Sequence, residues 1–202
     1  MANNKADLAL IVGLGNVGAK YDHTRHNMGV DLLNLIADAY KINLVPESKF
    51  AGLVGRGTIE RHDVRLAFPT TFMNESGRCV GALCTFYRIA PEQVLVLHDE
   101  MDLNPGAIRL KFGGGLAGHN GLKSISAALG NSQNFWRLRI GIGKGRGEVI
   151  SHVLSRPDPH DRALIDEALD GAFLGIQILF KQGPDKAMQV INGFKTAKFA
   201  KE

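Results

Sequence analysis

The chain has two cysteines, one tryptophan and seven prolines in 202 residues, and its scarcities exclude several classes of protein. Cys79 and Cys84 cannot build a disulfide framework. They fall five residues apart in a segment of helical pattern, which points them to different sides. Both are expected to be free thiols in a reducing compartment. No apolar run approaches the roughly 18 residues of a membrane helix, and the longest near the start spans only residues 8–12. Residues 1–7 hold two asparagines, one lysine and one aspartate and lead directly into a strand pattern, which is not the layout of a secretory signal. The expectation is a cytoplasmic protein without membrane association. Internal repeats, low-complexity tracts and Pro/Ser linkers are also lacking. A single domain over residues 1–202 is therefore expected, with 1–7 and 195–202 as flexible tails.

The net charge is only +4, but the basic residues are segregated. Residues 103–150 carry seven Lys/Arg (Arg109, Lys111, Lys123, Arg137, Arg139, Lys144, Arg146) against Glu148 alone, a net of +6. Residues 151–175 carry five acids and two arginines. Such asymmetry points to a polyanionic partner, and a merely solvated face stays open beside it.

Residues 8–13 and 94–98 are short apolar runs that end at glycines or at a His-Asp-Glu triplet, as strands buried on both faces do. Residues 54–59 and 64–68 read as a hairpin-like pair, and 107–112 and 138–142 complete a set of about six strands. Apolar residues recur at three- and four-residue spacing over 27–40, 74–87, 120–129 and 162–181, and Gly183-Pro184 stops the last of these before one more short helix. Strands alternating with helices, with a hairpin inserted, predict an α/β fold: one mixed, twisted sheet with helices on both faces.

Gly13-Leu14-Gly15-Asn16-Val17-Gly18 matches the glycine fingerprint of dinucleotide sites. That fingerprint needs a helix to begin at once so that its first amides meet the pyrophosphate. Helical periodicity here waits until Val30, and the acid about 20 residues on, Asp38, lies inside that helix. A nicotinamide or flavin cofactor is not expected. What remains is Asn16 on a turn after a central strand and His26 at the mouth of a helix, with Asp99 at the end of another strand. A His and an Asp at neighbouring strand ends suit base catalysis, and a helix-capping Asp with a surface His is the plainer possibility. Asn74 and Asn120 stand at two further helix starts, where capping is the ordinary role. The stretch 113–121 holds five glycines in nine residues and reads as a lid over a site or as an ordinary connector. His23, His98 and His119 join His26 in no recognised ligand spacing, so no metal is expected.

Together these segments resemble the bacterial peptidyl-tRNA hydrolase family. The resemblance rests on Gly13-Leu14-Gly15-Asn16, on Tyr21 with Thr24-Arg25-His26-Asn27-x-Gly29, and on Pro69-Thr70-Thr71-Phe72-Met73-Asn74. His98-Asp99-Glu100-x-Asp102 and Gly118-His119-Asn120-Gly121 complete it. Val17 stands where the family commonly has proline, and Leu116 where histidine is often found. The resemblance implies hydrolysis of the ester that joins a peptide to the 3′ ribose of tRNA, by a monomer needing no cofactor. It implies His26 as general base, Asp99 as its partner and Asn120 as support for water and oxyanion. It places Asn16, Tyr21, Met73, Asn74 and His119 in substrate binding. With the basic segment, it makes Arg109, Lys111, Lys123 and Arg139 the expected tRNA contacts. An RNA-binding splicing module with a silent site is the alternative on the same fold.

Overall fold

In the central strand β1 (Leu10–Gly13), successive side chains enter different cores. Leu10 and Val12 join one apolar cluster, and Ile11 joins the other. This follows from the period-two geometry of a strand, and an unbroken apolar run is its sequence form. Strand β5 (Val94–Glu100) repeats it, with Val94 and Val96 in one cluster and Leu95 and Leu97 in the other.

The computed structural model describes residues 7–197. After β1 come α1 (Met28–Ala39), β2 (Val45–Glu47), β3 (Gly52–Ile59), β4 (His62–Pro69) and α2 (Gly77–Tyr87). Strand β5 leads to β6 (Ile108–Phe112), α3 (Asn120–Ala128), β7 (Trp136–Gly141), α4 (Val149–Val153), α5 (Pro159–Gln182) and α6 (Pro184–Asn192). The strands form one seven-stranded sheet in the order β2-β3-β4-β1-β5-β7-β6. Strands β4, β1, β5 and β7 are parallel neighbours, and β2–β3, β3–β4 and β6–β7 are antiparallel. Helices α1, α5 and α6 cover one face, and α2 and α3 cover the other.

The mixed α/β sheet covered on both faces is the architecture expected, with seven strands instead of about six. The added strand, β2, is three exposed residues with Pro46 at its centre, so neither length nor alternation marks it. The β3–β4 hairpin turns on Glu60 and Arg61, both at positive φ, as a two-residue turn between right-twisted strands requires. Helix α5 begins earlier than its apolar pattern, because the Asp158 side chain accepts from the Asp161 amide and Pro159 fills the first turn. Helix α4 was not expected at all.

Cys79 and Cys84 are free and buried. Both lie in the cluster under α2 and α3, and burial pushes their thiols up to about 12 and about 11. Of the segments read as tails, 1–6 and 198–202 lie outside the described residues; Thr196 is buried. Among the described residues, no helix is long and apolar enough to cross a membrane.

Candidate active site

The parallel strands β4, β1, β5 and β7 all end on the same side of the sheet, and the sequence motifs follow their ends. From β4 the chain enters the turn holding Met73 and Asn74; from β1 it enters the loop holding Asn16 and, later, His26; Asp99 is the next-to-last residue of β5. In open α/β sheets this edge is where ligands bind. Gly29 allows the close approach: a Cβ there would lie 2.2 Å from the Leu97 carbonyl oxygen, so only glycine lets α1 start against β5. That contact brings His26, in the single helical turn before α1, to Asp99.

His26 Nδ1 lies 2.9 Å from Asp99 Oδ2 and 3.0 Å from Oδ1. Asp99 is buried, and burial would raise its pKa. The two imidazoles beside it, His26 and His119, outweigh burial and hold the carboxyl well below the usual range. An ionised carboxylate only accepts, so His26 Nδ1 carries the hydrogen and its Nε2 lone pair is free. For His26, burial lowers the pKa, and the charge and hydrogen bond of Asp99 more than offset this, leaving it raised above the ordinary 6.5.

His119 supplies a second donor. Its Nε2 lies 3.0 Å from Asp99 Oδ1, and its Nδ1 accepts from the amides of Gly121 and Leu122 at 3.1 and 3.4 Å. The ring thus caps the start of α3 in the way Ser or Asp side chains usually do, and those two amides fix its tautomer with the hydrogen on Nε2. His98, fully buried, stands edge-on to His119 at 5.3 Å, and burial pushes it down to about 3, so it stays neutral.

Asn120 lines one cavity with this group, Asn16 lines a neighbouring recess with Tyr21, and Asn74 is exposed on the turn after β4. The Asn16 backbone is pinned on both sides by Asn27, whose Oδ1 accepts from the Asn16 amide at 2.8 Å and whose Nδ2 donates to the Asn16 carbonyl at 2.9 Å. Among the described residues, none of the three carboxamide side chains is hydrogen-bonded to the protein, and Asn74 caps no helix. All three amides thus keep their donors and acceptors unused by the protein. Met73 is buried against α3; a Cβ on Gly121 would lie 2.8 Å from its sulfur.

A cavity of about 220 Å³ opens beside His26, Asp99, His119 and Asn120, with Val149, Ile150 and Leu154 as its apolar wall. That wall is the unexpected helix α4. His152 Nε2 on this helix lies 2.9 Å from the Gly143 carbonyl, and the chain just past its C-terminal end is held by Arg25. Arg25 donates from Nη1 to the Ser155 hydroxyl and to the Arg156 carbonyl at 3.2 Å. The sequence motif marked Arg25 without showing its task. The Ala117-Gly118 stretch of the glycine loop forms the facing rim.

The four basic residues are less gathered. Arg109 pairs across the β6–β7 ladder with Arg139, and Lys111 with Arg137. The Arg139 guanidinium is held by Glu100 at 2.8 Å, and Arg109 folds back on the Ile108 carbonyl at 2.7 Å. Lys111 is exposed near Gly114, and Lys123 is exposed on α3. Arg137 is buried and donates to the Gly113 carbonyl. Donor atoms of His26, Asp99 and His119 lie within 4.8 Å of one another and could converge on an ion. Their direct hydrogen bonds already account for that closeness.

Comparison with known proteins decides the family. A family model described as peptidyl-tRNA hydrolase matches residues 10–199. The chain belongs to the peptidyl-tRNA hydrolase family. Peptidyl-tRNA hydrolases of Actinobacillus succinogenes and Mannheimia succiniciproducens are 51% and 53% identical to it over 192 residues, covering 94% of this chain and 99% of each relative. The crystal structure of the Acinetobacter baumannii peptidyl-tRNA hydrolase superposes with a TM-score of 0.90 at 47% identity, over 95% of this chain and 97% of that one. The fold and the enzyme class follow: a hydrolase of translation that acts on peptidyl-tRNA.

Proposed function

We propose that the chain cleaves the ester between a peptide and the 3′ ribose of tRNA by direct attack of water, with His26 as general base. The observation that carries this is the single arrangement around Asp99. One carboxylate accepts from two imidazoles, and its hold on Nδ1 leaves His26, a wall of the cavity, with its hydrogen there and its Nε2 lone pair free.

Water attacks the carbonyl carbon as its proton passes to His26 Nε2; Asp99 stabilises the imidazolium that forms. The negative oxygen that develops is met by the Asn120 amide at the start of α3, where the helix dipole favours negative charge. The intermediate then breaks its bond to the ribose oxygen, which takes the proton back from His26. No cysteine serves as nucleophile, since both thiols are buried. Asn16 and Asn74 hold the peptide main chain, beside Met73 and Tyr21, and amides suit this because they bind peptide units without selecting charge. Lys111, Lys123, Arg109 and Arg139 hold the tRNA phosphates.

A direct test compares N-acetyl-aminoacyl-tRNA with free aminoacyl-tRNA. The acetylated form is cleaved, and the free form, whose ammonium leaves the amides of Asn16 and Asn74 mispaired, is cleaved at least about tenfold more slowly. Equal cleavage of both contradicts the assignment of Asn16 and Asn74.

A further inference from the structure

Strands β5, β7 and β6 are neighbours, and their register gathers charge on one face of the sheet. Arg139 stands opposite Arg109, and Arg137 stands opposite Lys111. Glu100 follows two residues after His98, which is the β5 partner of Arg139. Side chains two apart on a strand share a face, so Glu100 lies with four cations and is the one acid that these strands place there. A carboxylate in that position opposes the approach of a polyanion.

Stability does not account for it. The Glu100 side chain is 4% exposed and that of Arg139 is 21% exposed. Taking such a pair out of water costs about what its attraction returns, and apolar residues of similar size often serve as well. Geometry does account for it. Glu100 Oε1 accepts from Arg139 Nε at 2.8 Å, and neither terminal nitrogen of Arg139 makes a hydrogen bond among the described residues. The guanidinium is held by its inner edge, with its outer fork open. Arg109 and Arg137 crowd it, and like charges on neighbouring strands repel. Burial, and next the charge of Arg139, lowers the pKa of Arg137. Without Glu100, this repulsion turns Arg139 away from its neighbours. Glu100 is also a wall of the cavity beside His26, so the fork is fixed at the edge of the site.

We propose that Glu100 is a positioning residue for tRNA binding: it fixes the Arg139 guanidinium so that the outer fork meets a tRNA phosphate with two parallel hydrogen bonds. The inference rests on the function proposed above, in which Arg139 is a phosphate contact. The two charges cancel as a unit, so Arg139 contributes direction to the complex more than it contributes to the general field.

The test measures Kd for deacylated tRNA, which no variant consumes, at one fixed salt concentration. Arg139→Ala should raise Kd about tenfold, the worth of one hydrogen bond between charged groups. Glu100→Gln removes a negative charge, so an effect through the field alone tightens binding. Positioning has the opposite sign, and Kd should rise about threefold or more. Glu100→Asp keeps the charge and shortens the reach by one methylene group; its Kd should also rise about threefold, where the field alone predicts no change. In an Arg139→Ala background, Glu100→Gln has no guanidinium to release and should leave Kd unchanged or lower it. Thermal melts show which variants are folded, and Glu100→Asp carries the test if Glu100→Gln is not. Kd at or below the wild-type value in the folded Glu100 variants, or an equal rise with and without Arg139, would overturn the positioning role and leave the proposed function standing. Wild-type affinity in Arg139→Ala overturns Arg139 as a phosphate contact, and this inference with it.

Discussion

His119 Nε2 lies 3.0 Å from the Oδ1 of Asp99, the same oxygen that stands 3.0 Å from His26 Nδ1. Asp99→Asn should therefore do more than remove a charge. The amide has one acceptor for two donors, and His119 cannot change tautomer without losing the helix amides on its Nδ1. His119 keeps the Asn oxygen, and the Asn NH₂ turns to His26, forcing its hydrogen onto Nε2. The base is then blocked, and kcat should fall by about 10³ to 10⁴ with KM little changed. Steady-state kinetics of Asp99→Asn, with a thermal melt to show the fold intact, checks this.

His119→Ala should act on stability and on pH dependence together. Loss of the cap on α3 costs about 1 kcal/mol, readable as a lowered midpoint in urea. Loss of a donor to Asp99 leaves more of its negative field on His26 and raises the His26 pKa further. The acid limb of kcat/KM then moves to higher pH. An unmoved limb in a folded His119→Ala protein would mean that His119 is only a cap.

The tRNA surface has a salt signature. Each phosphate neutralised contributes a log–log slope of about −0.7 to −0.9. Lys111 and Lys123 are exposed and free of protein partners among the described residues, so replacing either by alanine should flatten the slope by just under one unit. The Arg109 guanidinium is already turned to the Ile108 carbonyl, so Arg109→Ala should flatten it less. KM rises in the lysine variants, and kcat at saturation stays near wild type.

Much of this was legible in the chain because burial writes itself into sequence. Strands β1 and β5 are buried on both faces and appear as unbroken apolar runs. The late start of α1 at Met28 separates the Asn16 turn from a dinucleotide site, as the delayed periodicity indicated. The meeting of His26 and Asp99 follows once β1 and β5 are neighbours. Other parts carry no local signal. Strand β2 holds a proline, and α4 is five residues long with Val149 and Ile150 exposed and only Val153 buried, so neither shows a periodic buried face. The cap on α3 is a histidine, a residue type outside the usual capping set, so His119 gives no sign of joining a helix start to a carboxylate. The grip of Arg25 on Ser155 and Arg156 spans 130 residues and is set by tertiary packing alone. The basic segment proved less uniform than its charge suggested, since burial took Arg137 and Glu100 took Arg139.

The pH dependence of N-acetyl-aminoacyl-tRNA cleavage, measured for wild type and for His26→Ala, bears most directly on the role of His26. Its pKa is raised in the fold, so the protonated form predominates below that value and stabilises the fold there, a contribution lost as pH rises through it. Activity has the opposite sign, since only the neutral ring can accept the proton of water. Wild-type kcat/KM should rise with pH along a limb whose midpoint lies above the ordinary 6.5. In His26→Ala, kcat should drop by about 10² to 10⁴ and that limb should vanish, with tRNA binding retained. A His26→Ala protein with near-normal turnover, or with the limb unchanged, would contradict base catalysis by His26.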